Sequence, residues 1–298
     1  ADSEDALWTI VSLDDANQAM ADVKSDEPMD VTFLIEDHNF GRNNRYANKW
    51  TMEASNQNLC GGKNENKVAE SWRAAFTLSQ AIENVPNGVY VLNAQAALTE
   101  YTVTGTDFAV IYANEASSPF NTMAHSESSM DNMSDQFSAG NYFVDPVYVE
   151  VTDGKLTVGA KGTRTDTWCV WDNFTLAYYG TDASIDQIKT AALFVNVAEL
   201  YEQLGTLLSS KEVEIAAVTT ELQGVYDANN PETITTVEAA EAAVEALTAA
   251  IEKGKAYIAA KDILPKMKKL TESTNVYTKA AYEEYYGQWY QKYQDGSL

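Results

Sequence analysis

Two groups of residues have the types and spacing to do chemistry. The first is Asp172 in "TWCVWDNFTLAYYG" (residues 167–180), an acid set among aromatics. A carboxylate in such surroundings must be paired, metal-bound or hydrogen-bonded, because an uncompensated buried charge is costly. Strand parity groups Asp172 with Phe174, Leu176 and Tyr178 on the inward face, and turns Trp171, Asn173 and Thr175 away. A cation, the amides of a loop or a neighbouring Trp would each satisfy it. The second group lies in "GRNNRYANKW" (residues 41–50), where Arg42, Asn43, Arg45, Tyr46 and Trp50 place guanidinium and amide donors beside flat rings. That combination suits a sugar, whose hydroxyls need donors and whose apolar face needs an aromatic. Arg73 adds a guanidinium on the face of its strand opposite Trp72, which parity assigns to the core.

Sharper chemistries find no support. No G-x-S-x-G occurs, and neither His38 nor His125 has a recognisable triad partner, so both read as loop residues. "CGGKNEN" lacks the strand, helix and Ser/Thr context of a phosphate loop. With 44 acids some facing carboxyl pair always exists, so a glycosidase reading gains nothing from counting them. Cys60 and Cys169 are too few for a disulfide scaffold or a thiolate–imidazole zinc site. A single bridge between them is compatible with an exported chain, but spacing does not set their separation.

The net charge of −24 repels phosphate backbones, which excludes nucleic acid as a partner; the halves up to and beyond residue 180 carry −16 and −8. No apolar run approaches the ~18–20 residues of a membrane span.

The elements that must position these groups follow two periods. From Trp50 to Tyr179 apolar residues alternate by two. "SWRAAFTLSQAI" reads as one strand with Trp72, Ala74, Phe76, Leu78 and Ile82 inward, and "PNG" (86–88) turns it into a hairpin with "VYVLNAQAAL". Asp153 and Gly154 mark a second hairpin, and further strands follow at "DFAVIYAN", "PVYVEV", "KLTVGA" and "CVWDNFTLAYY". Short strands with turn signals between them predict an antiparallel β-sandwich. "NTMAHSESSMDNMSDQFSAGNY" (121–142) shows no period and reads as a long loop, a place where binding residues concentrate. After Gly180 the period becomes helical. Ser184 with Gln187, Ser209 with Glu212 and Thr235 with Glu238 read as helix starts, and Pro265 as an end or kink. Six tyrosines and a Trp crowd the final 25 residues, which calls for a partner surface, first of all the preceding helix.

"VTFLIEDHNFGRN", "QAIENVPNGVYVLNAQA" and "DGKLTVGAKG…WDNFTLAYYG", in that order, resemble the galactose-binding-like jelly rolls of carbohydrate-binding modules, especially those in surface proteins of gut Bacteroidetes. The later helices resemble the spacer bundles that often follow such modules. This resemblance implies a multidomain β-plus-α chain: an N-terminal extension over 1–29, an antiparallel jelly-roll sandwich over 30–180 and a bundle of three to four helices over 181–298. It further implies a non-catalytic, secreted or cell-surface protein, part of a larger chain, that binds a glycan or glycoprotein. A structural calcium would be held by Asp172 with Glu36 and Asp37, although Phe40 is followed here by Gly41, where relatives place a Glu ligand. The alternative is a spacer or adhesion module with no small ligand.

Overall fold

The structure is a computed structural model that describes residues 19–41, 50–99, 108–272 and 276–298. It divides into two compact units, Ala1–Ile185 and Asp186–Leu298. The first is a β-sandwich and the second is helical, as the change of period predicts.

The sandwich strands are β1 (Met29–Asp30), β2 (Thr51–Ala54), β3 (Gln57–Lys63), β4 (Asn66–Trp72), β5 (Phe76–Glu83), β6 (Gly88–Leu98), β7 (Ala109–Ala113), β8 (Ala116–Pro119), β9 (Asn121–Thr122), β10 (Val147–Val151), β11 (Lys155–Gly162) and β12 (Trp168–Tyr178). One sheet runs β10-β6-β12-β4-β3, with β1 on β12 and β9 on β6; the other runs β2-β5-β11-β7-β8. Their inner faces bury one apolar core, in which Phe76, Leu78, Ile111 and Val158 of the second sheet meet Leu92, Leu98, Trp171 and Leu176 of the first.

Neither expected hairpin forms. β5 and β6 lie in different sheets, as do β10 and β11, so the turns at 86–88 and 153–154 cross the sandwich. The two corners are tied together by Asn87, whose Nδ2 donates to Thr152 O (3.0 Å) and whose Oδ1 accepts from Gly154 N (3.0 Å). A turn signal specifies a reversal, but long-range pairing decides whether the chain returns to the same sheet. Nor is 71–82 one strand. β4 ends at Trp72, Arg73 adopts φ +50°, and β5 starts at Phe76 in the other sheet.

A bulge in β12 changes the parity of the closing strand. Asp172 is paired with Gln95 and Thr175 with Asn93, so Asn173 and Phe174 together face Ala94 alone. Asn173 takes φ +52°, a left-handed conformation that asparagine tolerates better than most residues. Trp171 and Phe174 therefore both belong to the core. This corrects the outward placement of Trp171, which stacks on Phe76 with centroids 4.8 Å apart and is fully buried.

The stretch 121–142 is not all loop. Helix α1 (Met130–Ser138) starts at Ser129, whose hydroxyl accepts from Asn132 N. It packs Met133 and Phe137 against Val68, Ala97, Trp168 and Val170 on the outer face of the first sheet. Methionines three apart followed by Phe four later were the readable signal, diluted by polar neighbours. Ser129→Ala is expected to lower stability by about 1 kcal/mol, read as a shift in denaturation midpoint, because one helix-end N–H loses its acceptor.

The second unit contains α2 (Ile185–Ser210), α3 (Ala216–Ala228), α4 (Val237–Thr271) and α5 (Val276–Asp295). Thr236, one residue past the expected Thr235, caps α4 by accepting from Ala239 N. Ser209 lies in the last turn of α2 rather than starting a helix, and Pro265 sits inside α4, which continues to Thr271. Gly254 lets α4 approach α2, since a Cβ there would lie 2.7 Å from Leu207 Cδ2. Tyrosines do pack between helices, Tyr201 on Tyr226 (4.0 Å) and Tyr257 on Tyr293 (5.6 Å), yet Tyr285, Trp289 and Tyr290 stay exposed. No helix among the described residues is long and apolar enough to cross a membrane.

Candidate functional site

On the outer face of the first sheet, alternation along β4 turns Val68, Glu70 and Trp72 the same way. α1 covers Val68. Trp72, at the strand's end, is 37% exposed. It is the register partner of Trp168, and the two indoles meet edge to face at 5.9 Å and 63°. Trp168 is buried and its Nε1 donates to Glu70 Oε2 at 2.7 Å, which holds the carboxylate beside the rings. Burial raises the pKa of Glu70, and the indole hydrogen bond offsets part of that rise.

Arg73 completes the surface. Its φ of +50° is unusual for a long side chain, and the turn is braced by Arg73 N donating to Thr167 O (2.9 Å) and Ser71 Oγ donating to Ala74 O (3.0 Å). The turn brings the guanidinium over the Trp72 ring, 5.3 Å from its centroid. Expecting Arg73 on the face opposite Trp72 was wrong because the strand ends between them. Together Trp72, Arg73 and Glu70 offer ring, cation and carboxylate on one surface. Those are the groups a polar, ring-shaped ligand requires.

Of the residues expected to bind ligand, Arg42, Asn43, Arg45 and Tyr46 lie outside the described residues. Trp50 is a correction. It is 4% exposed, packs between Phe40 (5.4 Å) and Phe174 (5.2 Å), and donates through Nε1 to Asp37 O at 3.1 Å. An indole enclosed in this way has no face for a sugar. Trp72, assigned to the core from parity, takes the exposed role instead.

The acids separate into two environments. Asp172 has no solvent exposure and neither carboxylate oxygen makes a hydrogen bond of normal geometry. Loop amides therefore do not satisfy it, and the indole N–H of Trp171 is itself buried without a partner. Burial drives the Asp172 pKa well above the usual carboxylate range; the Asn173 amide opposes the rise and the Asp37 carboxylate adds to it. Asp37 is buried too, at φ +54°. Two neighbouring carboxylates in a sealed site fit a hard cation, which takes oxygen ligands and neutralises both. Glu36 does not join them. Its side chain is exposed while its main chain is clamped by Gln80, Glu36 N donating to Oε1 (2.8 Å) and Glu36 O accepting from Nε2 (2.9 Å). No cluster of three or more His, Cys, Asp or Glu suited to a metal occurs among the described residues. Cys60 and Cys169 are free thiols, and burial pushes Cys169 up to about 12, which leaves it unreactive.

Fold and surface together define a β-sandwich module with an exposed aromatic–cation patch, followed by a helical unit. No protein-family model matches the chain, and no curated protein matches it. Among solved structures, TmCBM61 in complex with beta-1,4-galactotriose aligns with a TM-score of 0.33 and 14% identity, over 48% of this chain and 96% of the other. A protein from Bacteroides thetaiotaomicron VPI-5482, described as a "putative sugar binding protein", aligns with a TM-score of 0.24 and 15% identity, over 47% and 92%.

Proposed function

We propose that the sandwich is a non-catalytic glycan-binding module of a secreted or cell-surface protein, carried on a helical stalk within a longer chain. The observation that supports this reading most directly is the exposed Trp72, flanked by the Arg73 guanidinium and by Glu70, which Trp168 holds in place. A solvent-facing indole ringed by polar groups at the end of a rigid strand suits a saccharide, whose C–H face and hydroxyls need both kinds of contact. A calcium ion belongs to the same reading as a structural element. Asp172 and Asp37 would hold it, and it would supply the positive charge that the buried Asp172 carboxylate requires. The net charge of −24 argues against nucleic acid as a partner.

A glycan array probed with the full chain and with Trp72→Ala tests the proposal. Binding to a defined glycan set that falls about fivefold or more in the variant is the expected outcome, since ring stacking supplies ~1 kcal/mol or more of such contacts. Failure to bind any glycan, with the fold intact by circular dichroism, would leave the alternative reading, a spacer or adhesion module. That alternative draws on the exposed Tyr285, Trp289 and Tyr290 of α5, aromatics suited to protein contact.

A further inference from the structure

We infer that the groove between α2 and α4 of the helical unit seats a basic amphipathic helix of a partner protein. The inference is independent of the glycan-binding reading, which concerns the sandwich. The groove has a volume of about 560 Å³ and is open to solvent. Its walls recur at helical spacing, with Glu199, Glu202 and Ser210 on α2 and Ile251, Lys255 and Ile258 on α4. Glu199 to Ser210 is roughly three turns, the length over which a docking helix sets apolar residues at i, i+3 or i+4, and i+7.

The lining separates into an apolar floor and an acidic edge. Ile251 is buried at the base of the floor, while Leu207 and Ile258 are only partly covered by the helices of their own unit. Val195, four residues before Glu199 on the same stripe of α2, is 56% exposed and extends the apolar surface by a turn. Acids elsewhere in the unit are matched, Glu221 with Lys253 and Glu214 with Lys261, each at 2.6 Å. No salt bridge to Glu199 or Glu202 occurs among the described residues. Glu212 also lines the groove but acts on Lys261, so the charge argument rests on Glu199 and Glu202. Lys255 offsets part of their charge without reversing it. An apolar floor beside unmatched carboxylates complements a helix whose apolar stripe is flanked by Lys or Arg. A second copy of this chain does not meet that description, because both of its halves are net negative.

The test uses the full chain and two labelled peptides of about four turns, stapled so that the helix is preformed. One carries leucines at i, i+3, i+4 and i+7 flanked by lysines; the other has the same residues scrambled, which keeps the charge and removes the stripe. Binding is followed by fluorescence anisotropy at physiological salt, and circular dichroism with thermal melting checks that every variant folds. The striped peptide is expected to bind about fivefold or more tightly than the scrambled one. Glu199→Lys with Glu202→Lys should weaken it by about fivefold or more, since two charge pairs are reversed. Glu115→Lys with Glu150→Lys, which changes the net charge equally at exposed acids of the sandwich, should leave binding unchanged. Lys255→Glu should tighten it, so the groove is read in both directions. Equal loss in the two double variants, equal binding of the scrambled peptide, or no binding of the striped one overturns the inference, and the glycan-binding reading is untouched by any of these results.

Discussion

Trp171→Ala is expected to cost about 3–5 kcal/mol of sandwich stability, whereas Trp72→Ala should cost about 1 kcal/mol or less. Trp171 is fully buried, stacked on Phe76 and approached by Phe120 at 6.4 Å, so truncation leaves a cavity in the centre of the core. Trp72 loses an edge contact with Trp168 and returns little apolar area to water. Strand parity read along the chain predicts the reverse ranking, so the pair is a direct test of the bulge at Asn173. Urea denaturation followed by near-UV circular dichroism is the measurement, compared at the midpoint of the sandwich transition. A larger loss in Trp72→Ala than in Trp171→Ala would show that the register in the structure is wrong.

The second large effect concerns Asp172. In chelator at neutral pH, Asp172→Asn should be more stable than the parent by on the order of 1–3 kcal/mol, because the parent must either hide a charge or bind a proton there. The sign with pH follows from the raised folded-state pKa. The folded chain holds this proton where the unfolded chain has lost it, so the chelated parent gains stability as pH falls through the raised value. The gain is complete near the ordinary value of 3.8, and the penalty is greatest above the raised one. Calcium should act in the opposite sense. At a hundredfold excess over its Kd it would stabilise the parent by about 2.7 kcal/mol, raise its melting temperature and leave Asp172→Asn unchanged. A parent indifferent to calcium across this range would remove the cation and leave Asp172 as a protonated acid.

Much of the architecture was legible because periodicity is a local property. The shift from alternation by two to a helical pattern after Gly180 marks the division into two units, and burial of one face per strand accounts for Phe76, Leu78, Leu92 and Leu176. Asp172 is buried as expected, but not by the parity with Phe174, Leu176 and Tyr178 that suggested it, since the bulge at Asn173 puts it out of phase with them. Arg73 was recognisable as a surface group, though not its neighbour.

Other features depend on which strands meet. Whether the turns at 86–88 and 153–154 make hairpins or cross between sheets is decided by pairing with strands far along the chain. The core position of Trp171 follows from one extra residue opposite Ala94, invisible until β12 is laid against β6. α1 was obscured because its few apolar residues serve only one side of a short helix. From composition and period alone, the sequence determined an acidic β-sandwich followed by helices. The tertiary structure decided which tryptophan is buried and which faces solvent, because a bulge and a strand end each reset a parity that local spacing assumes is continuous.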